Sequence, residues 1–214
     1  MKFIFSLGLL FFVFSFCNLS ERLSKLKGED ANDQKTTTNS STDSKKSSDD
    51  IKAEKPELTS SQEAILNSGT EVKWEQQGIA FTVPRGWNKM DVKKESFNYG
   101  SPKTGFLIGS ISVMPDNFPS DTSLDATHTQ ALEQLKNGKY ENVRWLEIDG
   151  IKGVEWVEAP GEEKGDPRRH QWIGFRNYQG QNQQLNIMVS TKSGEFDSKK
   201  DTFAAVLYSM RFDK

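Results

Sequence analysis

Few side chains in this 214-residue sequence have the types and spacing that catalysis requires. The sequence holds two histidines, His128 and His170, and one cysteine, Cys17. A single cysteine excludes an internal disulfide and a cysteine-based zinc site. The Gly-x-Ser-x-Gly nucleophile motif and the glycine-rich phosphate loops are absent from the sequence. We therefore expect no catalytic residue, no metal and no cofactor.

The candidate binding residues are a short basic and aromatic strip. Arg168, His170 and Trp172 alternate along the sequence, so they share one face if the segment is a β-strand. Such a strip could receive an anionic group or contact a partner. The competing interpretation is a solvent-facing strand beside the acidic loop 158–167. If the protein were an enzyme, His170 would be its only serious candidate for catalysis.

The charge balance bears on the class of partner. Lys and Arg number 28, Asp and Glu number 30, and the formal net charge is -2. A dedicated nucleic-acid-binding domain usually carries a strongly basic face. We therefore expect no nucleic-acid partner, and we expect a monomer because the charge is balanced and spread.

The N-terminus has the pattern of an export signal. Lys2 precedes an apolar stretch, 3–16, which is long for a signal peptide and shorter than the roughly 20 residues that span a bilayer. Cys17 follows at once and resembles the lipidated cysteine of bacterial lipoproteins, although Phe16 stands where that pattern has a small residue. The alternatives are lipidation of Cys17, an uncleaved anchor, and release by ordinary cleavage. All three predict an extracytoplasmic protein, and the first two predict membrane anchoring in a bacterial cell envelope or periplasm.

Residues 18–70 have the composition of a linker. The segment is rich in Ser, Thr and charged residues and contains no aromatic residue, so it cannot bury enough apolar surface to offset its chain entropy. We predict a disordered linker with one short helix at 60–67, because Ser60 and Glu63 form a capping-box pattern.

Residues 71–214 are predicted to form a globular domain, because all five Trp and all four Tyr lie there. Asp149-Gly150 marks a tight hairpin turn, and Gln179-Gly180 marks another. Trp74 and Trp87 stand at strand ends, where we expect partial exposure. Alternation or continuous apolar character predicts strands at 79–83, 106–114, 143–148, 151–159, 169–178 and 182–191.

Two helices are predicted in this domain. The first begins after Ser123 and stops at Gly138, and His128 lies on its apolar stripe as a packed core histidine. The second begins near Ser198 and presents Phe203, Val206, Leu207 and Met210 on one face. The fold class that follows is α+β, with a central antiparallel sheet flanked by helices.

The order of these signals resembles the PsbP-like superfamily, of the PsbP, Ran-binding Mog and DcrB type. The residues that carry the resemblance are FTVPRGW (81–87), the hairpin at Asp149-Gly150, the strand with Trp172, and the closing LYSMRF (207–212). The resemblance covers about 72–213 and implies a sheet between helices, without a shared set of catalytic residues. It implies an accessory or binding module.

The function predicted from the sequence is therefore a membrane-tethered, extracytoplasmic, non-catalytic module with an unidentified protein partner. The alternative is a carrier of a small ligand or lipid in the cell envelope. A carrier would have an internal cavity lined by several Trp and Phe side chains. The third hypothesis is that the protein is an enzyme.

Overall fold

The computed structural model describes residues 52–213. Its helices are α1 (Ser60–Asn67), α2 (Ser120–Lys136), α3 (Ser193–Phe196) and α4 (Lys200–Tyr208), with 3-10 turns at Glu75–Gln77 and Asp197–Lys199. Its strands are β1 (Thr70–Trp74), β2 (Ile79–Val83), β3 (Asn88–Val92), β4 (Ser96–Ser101), β5 (Gly105–Met114), β6 (Tyr140–Ile148), β7 (Ile151–Glu158), β8 (Pro167–Tyr178), β9 (Gln181–Lys192) and β10 (Arg211–Phe212).

The strands form two antiparallel sheets. The larger sheet has the order β3-β4-β5-β9-β8-β7-β6, and the smaller has the order β1-β2-β10. The hairpin turns predicted from the sequence are present. Asp149 and Gly150 have φ of 48° and 84°, and Gln179 and Gly180 have φ of 52° and 76°. Positive φ at both central residues matches the right-handed twist of the flanking strands.

Two apolar cores lie on opposite faces of the larger sheet. On the inner face, side chains of β4, β5, β8 and β9 pack with the smaller sheet and with α4, whose Phe203, Val206 and Leu207 are fully buried. On the outer face, α2 packs on β6, β7 and β8 through Leu124 and Ala131. The predicted α+β class with a helix-flanked antiparallel sheet is confirmed.

Helix α1 spans Ser60–Asn67, as predicted, but its capping residues differ from the prediction, and helix α2 begins earlier than predicted. Helix α1 is capped one residue earlier than predicted, because Thr59 and Gln62, rather than Ser60 and Glu63, exchange the capping-box hydrogen bonds. Helix α2 begins at Ser120 instead of after Ser123. The apolar stripe of α2 begins at Leu124, so the hydrophobic pattern does not reveal the polar first turn of this helix.

The segment before α1 pairs with the edge of the larger sheet at one residue. Glu54 forms a parallel β-bridge with Leu146 of β6, so the last part of the predicted linker contacts the domain. Residues 18–51 of that linker, and the export signal with Cys17, lie outside the described residues. Within 52–213 no helix combines the length and the apolar character needed to cross a membrane.

Candidate functional site

The densest group of chemically capable side chains lies on the inner face of the sheet, under α4. We call it the inner network: Arg144 of β6, Glu155 of β7, His170 of β8 and Tyr208 of α4. The first three lie on three adjacent strands, and they share a face because each is an inward position of its strand. The register pairs Arg144 with Glu155. Tyr208 reaches the group from the last turn of α4.

Glu155 is the centre of the inner network. Its side chain is 1% exposed. The carboxylate oxygen Oε1 lies 2.7 Å from His170 Nε2 and accepts from the Tyr208 hydroxyl at 2.8 Å. The other oxygen, Oε2, accepts from Arg144 Nε. Arg144 Nη2 donates to the Tyr208 hydroxyl oxygen at 2.7 Å, which closes the ring of contacts.

The electrostatics fix the protonation states in this group. Burial alone would raise the pKa of Glu155, but its hydrogen bonds and ion pairs with His170 and Arg144 outweigh burial and lower it to about 2. Burial, and then the charge of Glu155, raises the pKa of Tyr208 well above its ordinary value. Glu155 is therefore a carboxylate and Tyr208 a protonated phenol at neutral pH.

Arg144 stays charged in this setting. Burial works against the charge of the guanidinium, but the hydrogen bond and charge of Glu155 outweigh burial and raise the pKa of Arg144. Glu155, Tyr208 and two guanidinium nitrogens of Arg144 are thus hydrogen-bonded within the inner network. Nη1 of Arg144 donates to Glu54 outside it. What the arrangement does chemically is tie α4 to three strands of the sheet through charge-assisted hydrogen bonds.

Arg168, two residues before His170, is the centre of a second ionic cluster. Its side chain is 1% exposed. Nε donates to the Glu158 carbonyl oxygen at 2.7 Å, and Nη1 lies 2.9 Å from Asp197 Oδ1. Nη2 donates to Glu141, and the guanidinium carbon lies 4.3 Å from the centre of the Phe196 ring. All three guanidinium nitrogens therefore have protein partners.

Trp172 completes the strip that the sequence singled out. It is fully buried, and its Nε1 donates to the Leu146 carbonyl oxygen at 3.1 Å. Gly153 makes room for the ring, because a Cβ there would lie 2.4 Å from it. The ring also stacks on Phe212 of the smaller sheet at a centroid distance of 6.0 Å.

Arg168, His170 and Trp172 share one face of β8, as the alternation predicted. That face is the inner one, so the expectation of a solvent-facing strip is wrong. Charged residues are usually exposed, which is why the sequence favoured the other side. Their compensating partners come from distant segments. An anion or a partner would have to displace carboxylates that these side chains already contact.

The remaining aromatic and histidine predictions have mixed outcomes. Trp74 and Trp87 are buried, with 3% and 7% exposure, so the expected partial exposure is wrong. Trp74 donates from Nε1 to the Lys93 carbonyl oxygen, which gives the buried indole its partner. His128 stacks on Trp145 at 4.5 Å between ring centroids and is half-buried rather than fully in the core. Burial lowers the pKa of His128.

A surface cleft opens beside the inner network. It has a volume of about 520 Å³. Its lining includes Tyr208, Arg211 and Asp149, together with Lys55, Pro56 and Leu58 of the segment before α1. Between residues 52 and 213, no three His, Cys, Asp or Glu side chains are grouped closely enough to hold a metal ion.

No protein-family model and no curated protein matches the sequence. Several solved structures are similar to it over about two thirds of its length. The cyanobacterial PsbP of Synechocystis is 20% identical over 68% of this chain and 93% of its own, with a TM-score of 0.45. LpqN, involved in cell envelope biogenesis of Mycobacterium tuberculosis, is 13% identical over 68% of this chain and 91% of its own, with a TM-score of 0.49.

The Ran-binding protein Mog1p of Saccharomyces cerevisiae is 12% identical over 67% of this chain and 95% of its own, with a TM-score of 0.39. This chain spans about half, 49%, of a matched structure from Bacteroides thetaiotaomicron, with 69% of this chain covered, 17% identity and a TM-score of 0.46. The matches include a PsbP and a Ran-binding Mog protein, two of the types to which the sequence resemblance points.

Proposed function

We propose that the domain is a non-catalytic binding module for a protein partner, tethered outside the cytoplasm through its N-terminus. The inner network supports the non-catalytic part of the proposal. A histidine and a carboxylate in contact could serve as a base and its orienting group, but catalysis also needs a nucleophile or substrate within reach of the base. Here the nearby hydroxyl, Tyr208, donates to Glu155 and has a raised pKa.

The observation that carries the proposal is an open patch on the outer face of the larger sheet. We call it the open face: Phe106 and Ile108 of β5 and Met188 of β9. Helix α2 packs on β6, β7 and β8, at the other end of this face. The three apolar side chains are half-buried and belong to neither core. Apolar surface of this kind is a common mark of a protein–protein contact.

The surroundings of the open face define the partner's chemistry. Across the strands, Ile108 pairs with Asn98 and Met188, and Met188 pairs with Gln171. These neighbours are uncharged. We therefore expect an uncharged protein surface that supplies apolar side chains.

Site-specific photo-crosslinking tests this face. A photo-reactive amino acid at position 188 should give a discrete protein adduct in intact cells. Ile108→Arg should abolish that adduct because it places an unpaired charge in the contact. Thr129→Arg is the matched control, since it adds the same side chain at an exposed position of α2. Adduct loss in both variants, or in neither, would argue against the open face, and a lipid adduct would replace the protein partner with a membrane surface.

The tether is proposed from the sequence. Lys2, the apolar stretch 3–16 and Cys17 support export and lipidation. Wild-type protein should incorporate a fatty-acid analogue and partition into detergent, and Cys17→Ser should do neither. Mature protein that still begins at Met1 and lacks label would favour the uncleaved anchor instead.

The carrier alternative finds less support in the structure. A carrier would use aromatic side chains to line a cavity. The five tryptophans instead fill the two cores, with exposures between 0% and 7%. A ligand in either core would have to displace these rings from close packing.

A further inference from the structure

Residues 52–58, which we call the edge segment, lie beside β6, the last strand of the larger sheet. Strand β6 ends the sheet, and its outer edge pairs with Glu54. The Glu54 N–H donates to the Trp145 carbonyl oxygen at 3.1 Å. The Glu147 N–H donates to the Glu54 carbonyl oxygen at 2.8 Å. This is the pattern by which an extended peptide adds to the edge of a sheet.

Arg144 gives this edge a guanidinium group that can bind a carboxylate. The inner network holds its Nε through Glu155 and its Nη2 through Tyr208, so the guanidinium has a fixed orientation. The third nitrogen, Nη1, donates to Glu54 Oε2 at 2.8 Å. A preorganised guanidinium binds a carboxylate with less loss of side-chain freedom than a mobile one.

The edge segment is held by one backbone pairing, by exposed ion pairs and by the half-buried side chains of Ala53, Pro56 and Leu58. Its backbone pairing with β6 is confined to Glu54 within the described residues. The Glu54 side chain is 64% exposed, and the Lys55–Glu147 ion pair is also open to solvent, with side-chain exposures of 74% and 30%. Exposed ion pairs contribute little to stability. A second cleft of about 560 Å³ is lined by residues of the edge segment itself, among them Ala53, Glu54 and Glu57.

We propose that the β6 edge and Arg144 form a binding site for an extended, acidic segment of a partner protein, and that the edge segment occupies this site in cis. A tethered competitor acts at a high effective concentration. The partner's apparent affinity is then reduced by the fraction of molecules whose site is already filled. This site is separate from the open face, and either can fail without the other.

A labelled peptide with the sequence of residues 52–58 is a direct probe, used with the purified full-length protein. Glu54→Lys should weaken the edge segment, because it places a second cation beside Arg144. The variant should bind the peptide about tenfold more tightly than the wild type by fluorescence polarisation. Glu57→Lys is the matched control, since it makes the same charge change in the same segment at an exposed residue with no ion pair to Arg144. It should bind the peptide as the wild type does.

Two further measurements keep the proposal falsifiable. In Glu54→Lys, the amide NMR signal of Glu147 should shift on peptide addition, because that N–H would donate to the peptide backbone. A peptide with glutamine in place of Glu54 should bind several-fold more weakly. The proposal fails if Glu54→Lys binds no peptide at millimolar concentration, if both lysine variants gain affinity equally, or if the glutamine peptide binds as well.

Discussion

Replacing Glu155 by glutamine removes one negative charge from the inner network and leaves the shape of the side chain nearly unchanged. Both carboxylate oxygens of Glu155 take part in hydrogen bonds. Oε1 contacts His170 Nε2 and the Tyr208 hydroxyl, and Oε2 accepts from Arg144. A glutamine must turn its amide N–H₂ toward one of the two sides, where the carboxylate had an acceptor. The variant therefore loses the charge and one buried hydrogen-bond acceptor.

The magnitude follows from the pKa of Glu155, which is lowered from 4.5 to about 2 in the folded protein. A shift of about 2.5 pKa units corresponds to about 3 kcal/mol at neutral pH. This agrees with the loss of about 3–5 kcal/mol seen when one partner of a buried ion pair is removed. Because the folded-state pKa is the lower one, this stabilisation is complete above pH 4.5 and is lost as the pH falls toward 2.

Urea unfolding followed by tryptophan fluorescence measures this effect at several pH values. Glu155→Gln should be about 3 kcal/mol less stable than wild type at neutral pH. At about pH 3, less than half of that difference should remain. Glu147→Gln is the control, because its partner Lys55 is 74% exposed and such pairs contribute at most about 1 kcal/mol. Equal losses in both variants, or a Glu155→Gln loss that does not change with pH, would refute the electrostatic account.

Two further predictions concern packing. Trp172→Ala should cost about 3–5 kcal/mol in the same unfolding assay, because the fully buried ring fills the inner core; a loss below about 1 kcal/mol would contradict that placement. A chain that begins at residue 71 should be less stable than one that begins at residue 52 by about 2–4 kcal/mol, because it loses the half-buried Ala53, Pro56, Leu58, Ile65 and Leu66. Equal stability of the two chains would show that the edge segment and α1 are dispensable for the fold.

Features encoded in neighbouring residues could be predicted from the sequence. The Asp149-Gly150 hairpin needs two residues that tolerate positive φ, and both the turn and its flanking strands are present. The face of α4 could be read because apolar residues recur at helical spacing. Strand β3 (Asn88–Val92) was not individually predicted because it pairs only with β4 and four of its five residues are exposed. An edge strand with little buried surface has little hydrophobic pattern to read.

The pairing of distant segments could not be read in the same way. Strands β5 and β9 are adjacent and antiparallel, with Leu107 opposite Val189. Nothing in either apolar run specifies the other as its neighbour. The edge segment is a sharper case, because its composition is that of a linker and only the contact with β6 and Arg144 gives it a place in the sheet.

The candidate site shows why a correct periodicity can still give the wrong environment. Alternation places Arg168, His170 and Trp172 together, but it does not say which side of β8 faces the core. The inner side is acceptable for two basic residues only because Glu141 and Asp197 neutralise Arg168, while Glu155 binds His170. Those three acids come from β6, the turn after α3, and β7. The cost of burying Arg168 and His170 is thus offset by residues that no local pattern connects to them. The contacts of Arg144 with Glu155 and Tyr208 leave one of its nitrogens, Nη1, directed to the sheet edge. That donor, rather than the strip itself, is where an acidic partner could be recognised without dismantling the fold.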